Sequence, residues 1–432
     1  MRFIKANMLL LIFLTGLLIR LLLMFTYSSF DINNHISWAQ DLYHRGFSGF
    51  YETQSKEVYA WLYPNYPPLA IFIFYLVFII KQPVFNLLWW LNLKIPFFPS
   101  KIFTFLGTRE YTVGFYKIPA ILFDLILAYL CYLFAKKLYP KDKQKHILII
   151  SLILFNPIFI YVSSLWGQIE TIVLSFLLIS IYLLVFSKKP IISFVFFVLS
   201  FLVKPIIIIF FPVYLIYFLK NYGWKKIIIS SVIGNIIFWL SFLPFYKYGN
   251  IFTYPYIIYF NKILLSQSMS NVSNSAFNFW TIFPGLMDVK DSIKIVGPLS
   301  YKAIGFILVC ISYIVITSLY LKKAKNITVF FYLLFLTGFS YIMFSTRMHE
   351  RYWIYLLPFL FLIGLKERKY LRWTIFLSIL FFLNIFHAWS APYFNWMSPL
   401  KNSITVSLIS TTNFLFFLYF LFKINSSFLI KS

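Results

Sequence analysis

Apolar runs of roughly twenty residues, a length that spans a bilayer as a helix, recur along the whole chain and are closed by short basic clusters. The runs are continuous and do not alternate apolar-out with polar-in, which excludes a membrane β-barrel. The pattern predicts an all-α polytopic membrane protein, with roughly 13 to 14 transmembrane helices by hydropathy. The first run, Asn7 to Tyr27, is long for a signal-peptide core and has no small-residue cleavage site after it, so it reads as a spanning helix. A helix from about Pro67 to Lys81 returns, and another covers 115–135. From residue 147 onward the expected helices pair as 147–165 with 168–187, 190–203 with 205–219, and 227–246 with 301–321. The last pairs are 327–345 with 352–365, and 372–388 with 404–422. The proline-broken stretch 83–112 must supply one outward crossing for this order to close.

Orientation follows from the basic clusters "KKLYPKDKQKH", "SKKP", "KNYGWKK", "KKAK" and "KERKYLR", which the positive-inside rule places in the cytoplasm together with both termini. Two long loops, 28–66 and 247–300, are then external, and ordered loops of such length commonly carry function. Within the first, Ile36, Ala39, Leu42 and Tyr43 share one helical face, suited to a helix lying on the membrane surface. No second soluble domain, linker or repeat is visible, so residues 1–432 read as one transmembrane domain.

Composition changes this picture little. The chain is 61% hydrophobic and 12% charged, with a mean hydropathy of +0.83. Its net charge of +26 would suit nucleic acid, but the positive residues sit between apolar runs, where topogenesis puts them. No nucleic-acid partner is expected. The two cysteines lie inside apolar runs and offer neither a disulfide framework nor a metal site. The acids are more telling. Only Asp142 and Glu367 fall in cytoplasmic loops, and Asp124 lies within a helix. Asp31, Asp41, Glu52, Glu57, Glu110, Glu170, Asp288, Asp291 and Glu350 all fall outside or at the outer boundary. Acidic residues barely affect insertion, so chemistry on the outer face accounts for the skew better than topology does.

Four stretches carry candidate chemistry. Asp31 in "SSFDINNH" follows the first helix and could act as a general base. Its plainer role is to cap a helix beginning at Asn34 or His35. "FNPIFIYVSSLWGQIE" places Trp166, Gln168 and Glu170 at the outer face, as a polar sugar site with an aromatic platform or as an interfacial belt. Lys204 in "FLVKPIIIIFFP" puts a charge in an apolar stretch, at about 2.5–3.5 kcal/mol on insertion scales, and calls for an anionic partner. Pro205 breaks the helix beside it. In "STRMHERYW", Arg347, Glu350 and Arg351 share a face if the segment is helical, with His349 pointing elsewhere. An Arg347–Glu350 pair with Arg351 snorkelling would be structural. With Lys204, the same group suits a lipid phosphate, to which Arg presents forked donors and Lys a point charge.

"FD" before an amphipathic loop, then "YPPL", "NPIFIYVSSLWGQIE", "VKPIIIIFFP" and "RMHERYW", resemble in their order the polytopic GT-C glycosyltransferases over about residues 28–360. The nearest likeness is to bacterial and archaeal mannosyltransferase-like proteins related to the second mannosyltransferase of GPI-anchor synthesis. More distantly, the chain is similar to the dolichyl-phosphate-glucose glucosyltransferases of N-glycan assembly. The resemblance implies transfer of mannose or another hexose, with inversion, from a polyprenyl-phosphate donor to a glycan or lipid acceptor on the outer face of the cell membrane. It implies Asp31 as catalytic base, and His349 and its neighbours near the carrier phosphate; from its own position at the outer face, Glu170 is the second catalytic candidate. Trp166, Gln168, Lys204, Arg347, Glu350 and Arg351 complete the substrate-binding set. The first loop has no Asp-x-Asp pair, so a divalent metal is unsupported and no cofactor is assigned. Residues 83–112 and those after 366 match no motif of the resemblance.

A transporter or flippase of lipid-linked or anionic solutes is the main alternative. It would show inverted repeats and midplane ionisable residues, a role open only to Asp124 and Lys204. A scaffold without chemistry would not require acids and bases facing each other across two loops.

Overall fold

A computed structural model describes residues 2–55, 63–265, 269–283, 285–286, 288–323 and 327–423. Glu57, assigned above to the outer side, lies outside the described residues. The described chain is a helical bundle with four very short strands. Eight helices are long and apolar enough to cross a membrane, and Met8–Leu23, Glu170–Val185 and Pro190–Val203 are shorter apolar ones.

Prolines and glycines set most boundaries. Pro68, Pro157, Pro190 and Pro205 each open a helical segment, where the missing N–H goes unused. The expected helices 205–219 and 227–246 are parts of one stretch, Pro205–Phe245. They are parted at Gly223, whose φ of 76° is left-handed backbone that favours glycine. The helix Ile327–Phe344 is buried nearly all round and stands at the centre of the bundle. Tyr301–Lys323, by contrast, exposes Phe306, Ile307, Ile311 and Ile314, as a lipid-facing helix does.

The early region differs from the expectation. No break falls at Lys81: one helix runs Pro68–Lys94 with Pro83 inside it, followed by Lys101–Leu106 and then Arg109–Leu138. Lys81 Nζ donates to Thr112 Oγ1 at 2.7 Å and Arg109 Nη2 to Asn33 Oδ1 at 2.5 Å. The middle of Pro68–Lys94 and the start of Arg109–Leu138 therefore pack in one layer with the loop helix Phe30–Arg45, and the one separate helix within 83–112, Lys101–Leu106, is only six residues long and too short to make the expected crossing. On Phe30–Arg45, Ala39 and Leu42 are buried as expected and Ile36 partly so. Tyr43 is 59% exposed, and Ile32, His35 and Trp38 take the inward places instead.

The second long loop is fastened by strand pairing. Ser273–Asn274 runs parallel to Met348–His349, and Lys294–Val296 pairs antiparallel with Leu299–Ser300. Side chains of the last two helices hold the loop from below. Asn384 Oδ1 accepts from Phe277 N and Trp353 Nε1 at 2.8 Å each, while its Nδ2 donates to Ser275 O at 2.7 Å. Asn413 Nδ2 donates to Phe277 O at 3.0 Å.

Candidate active site

The site starts at the end of the first helix. Lys117, wholly buried, donates to the carbonyls of Met24 and Tyr27 at 2.9 and 2.7 Å, a cation at a helix C-terminus. Ser29 then caps Phe30–Arg45 by accepting from Ile32 N, and its hydroxyl donates to Trp166 O at 2.7 Å. Asp31 is therefore not the cap: it sits in the first turn of a helix that begins earlier than Asn34. Its Oδ2 accepts the Trp166 indole N–H at 2.9 Å.

Trp166 closes a π-helical turn, Tyr161–Trp166, a local form frequent at functional sites. Gly167 follows with φ 85°, and a Cβ there would meet Ile32 Cδ1 at 2.7 Å. Both the backbone sign and the close approach demand glycine. Gly167 and Gln168 each donate to Val162 O, and the chain turns directly into Glu170–Val185. This tight turn presents Trp166, Gln168 and Glu170 beside Asp31. Gln168 is fully buried, and neither its amide oxygen nor its nitrogen has a hydrogen-bond partner.

The cations arrive from two other breaks. Pro190–Val203 ends at Lys204, which is extended because Pro205 cannot continue the helix. Lys204 Nζ donates to Glu170 Oε1 at 2.5 Å, with the Tyr66 ring 5.4 Å and the Tyr352 ring 5.9 Å away. After the strand Met348–His349, the 3-10 segment Glu350–Leu356 turns Arg351 inward. Arg351 Nη1 donates to Glu350 Oε1 at 3.0 Å, and its Nε lies 3.3 Å from Glu170 Oε1. Its guanidinium stands 5.7 Å from the Trp166 ring centre. His349 Nδ1 is 3.8 Å from Glu350 Oε2, too far for a hydrogen bond. Asp31 is half-buried, whereas Glu170, Lys204, Glu350 and Arg351 are all buried.

Arg347 is the exception. Its backbone has φ 63° and leads into a strand, so 347–351 is not one helix and the shared face of Arg347, Glu350 and Arg351 does not exist. Arg347 Nε and Nη2 instead grip Asp291 at 2.6 and 3.1 Å. It clamps the second loop to the rim of the site. Nor does Arg351 snorkel, since it is 9% exposed and turned into the cluster.

Electrostatics favour a charged Asp31. Burial acts to raise its pKa, but Arg351, the Trp166 bond and Lys204 oppose it and hold the carboxyl below the usual range. His35 is pushed down to about 3, by burial first and by Lys204 and Arg351 against the pull of Asp31. It stacks on Phe74 at 4.0 Å as a neutral ring. Burial and Arg351 likewise lower His349, against Glu350. Among the described residues, no cluster of three or more His, Cys, Asp or Glu side chains could hold a metal ion.

Several participants escaped the sequence reading. Tyr66 and Tyr352 flank Lys204, and Trp389 lies 5.4 Å from Trp166. Deeper in the bundle, Arg20 Nε donates to Asp124 Oδ2 at 2.5 Å, and Ser163 Oγ to the same atom at 2.7 Å. That buried pair holds the π-helical turn carrying Trp166. A lone arginine in one apolar run and a lone aspartate in another were the available signal, because isolated intramembrane charges seek each other.

A carboxylate locked beside buried cations, beneath two loops of a polytopic helical bundle, fits a membrane enzyme. Residues 16–417 match the family model described as the ALG6, ALG8 glycosyltransferase family, and the chain belongs to that family. It is a multi-pass membrane glycosyltransferase of the GT-C type, using a lipid-linked sugar donor and a glycan acceptor. No curated protein matches it. The family match runs through 83–112 and well past 366, farther than the motifs reach, and takes in Asn384 and Asn413, which fasten the second loop.

Proposed function

We propose that the protein moves a hexose, mannose or glucose among the candidates, from a polyprenyl-phosphate-sugar to a glycan or lipid acceptor on the external face of the cell membrane. The observation that carries this reading is that the Trp166 indole binds Asp31 while its ring lies 5.7 Å from the Arg351 guanidinium, which Glu170 links to Lys204. A half-buried carboxylate, kept anionic by those cations and oriented by Trp166, adjoins two positive groups suited to phosphate.

In the reaction the acceptor hydroxyl attacks the anomeric carbon from the face opposite the phosphate and inverts it. Asp31 takes the hydroxyl proton. The bond from the anomeric carbon to the phosphate oxygen breaks, and the phosphate leaves with the electron pair. Lys204 and Arg351 stabilise the negative charge that grows on it. Glu350 orients Arg351 through the 3.0 Å bond, and neutral His349 stands beside Glu350. Gln168, with its buried amide unpartnered, is suited to hydroxyls of the sugar. Arg347 acts through the loop and not on the phosphate.

The test is transfer by the purified protein in proteoliposomes supplied with polyprenyl-phosphate-mannose or polyprenyl-phosphate-glucose, using an extract of the native envelope as acceptor. Labelled glycan product is expected from one of the two. Movement of the intact donor across the bilayer without product would instead identify a carrier.

A further inference from the structure

The buried cluster holds more negative than positive groups. Asp31, Glu170 and Glu350 face Lys204 and Arg351, while His35 and His349 are drawn towards neutrality. Among these acids Glu170 alone touches both cations, through one oxygen: Oε1 lies 2.5 Å from Lys204 Nζ and 3.3 Å from Arg351 Nε. Its Oε2 has no partner. Asp31 is anchored elsewhere, on Trp166, and Glu350 takes a different nitrogen of Arg351. A phosphate approaching Lys204 and Arg351 therefore meets an anion already held by both, inside a cluster that is net negative without it. Like charges crowded into a buried site are costly.

From this geometry we propose that Glu170 is an internal competitor of the donor phosphate, holding Lys204 and Arg351 in place and releasing them when the phosphate binds. The proposal rests on the reading that those two cations take the phosphate. A displaced carboxylate has somewhere to turn, because Glu170 is the first residue of its helix and Ile169 supplies no side-chain cap. Backbone N–H groups of an uncapped first turn welcome a carboxylate. Glu170 thus sets donor affinity as a positioning residue, and it also prevents an unpaired buried cation between turnovers.

Replacing Glu170 by Gln leaves two acids against two cations, so the variant carries no surplus buried charge. Binding of farnesyl phosphate to the full-length protein in detergent is the readout, with farnesol as the control for the apolar tail. Glu170→Gln is expected to bind farnesyl phosphate roughly tenfold more tightly, as when a charge-assisted competitor becomes neutral. Arg351→Gln is expected to bind it at least tenfold more weakly, and farnesol binding should change in neither. If Glu170→Gln binds no better than wild type while Arg351→Gln loses affinity, the competitor role is wrong and the phosphate reading stands. Unchanged binding in Arg351→Gln would overturn both. Should Glu170→Gln fail to fold, Glu170→Asp, too short to reach Lys204 fully, should bind several-fold more tightly; equal or weaker binding would overturn the proposal.

Discussion

Replacing Trp166 by Phe removes one atom group of consequence, the indole N–H that Asp31 accepts at 2.9 Å, and keeps a ring between Arg351 and Trp389. A hydrogen bond to a charged group is worth about 1.5–3 kcal/mol net, and each pKa unit corresponds to about 1.36 kcal/mol. Loss of the bond should raise the Asp31 pKa by roughly one to two units, because burial, which already pushes it upward, is then opposed by fewer groups. Arg351 and Lys204 still act on it. Asp31 must be ionised to accept a proton, so turnover fails as pH falls through its pKa. The acid limb of the rate profile should therefore move to higher pH in Trp166→Phe, with a moderate loss on the plateau. Initial rates of sugar transfer in proteoliposomes, measured across a pH series at saturating donor, provide the assay. An acid limb in its wild-type position, or displaced to lower pH, would refute the assignment of Asp31 as a base tuned by Trp166.

Arg347→Gln should lower the melting temperature without weakening polyprenyl-phosphate binding, because it strips the buried Asp291 of its guanidinium at roughly 1–3 kcal/mol. Normal melting with lost donor binding would put Arg347 back in the phosphate site. Arg20→Met should cost roughly 3–5 kcal/mol by leaving Asp124 buried and uncompensated. Adding Asp124→Leu should restore much of that loss, and detergent-resistant folding of the single and double variants checks the coupling.

Where apolar runs end at a proline or a basic cluster, the helices lay open to reading. The expected 168–187, 190–203, 327–345 and 404–422 lie within a few residues of Glu170–Val185, Pro190–Val203, Ile327–Phe344 and Ser403–Lys423. Pro83 does not end its helix, because on an exposed face the helix absorbs the lost hydrogen bond and continues to Lys94. The sequence groups Trp166 with Glu170 and marks Lys204 as a charge in want of an anionic partner, but that Glu170 is this partner emerges only from the fold. Arg347 was not. Its side chain is turned away by a left-handed backbone and by pairing of Met348 with Ser273, a contact between distant segments that helical spacing cannot anticipate. Arg20 and Asp124 stayed unpaired on paper for the same reason, being 104 positions apart.

The central claim is that Asp31 removes the acceptor proton while other residues hold the donor. Asp31→Asn keeps the size of the side chain and its ability to accept from Trp166, but it is no longer basic. The direct measurement is single-turnover transfer by this variant, paired with equilibrium binding of the polyprenyl-phosphate donor. A rate lower by about three orders of magnitude, within the roughly 10²–10⁴-fold range of a general base, with donor affinity within a few-fold of wild type, is the predicted result. Transfer at a tenth of the wild-type rate, or loss of donor binding equal to the loss of rate, would contradict it.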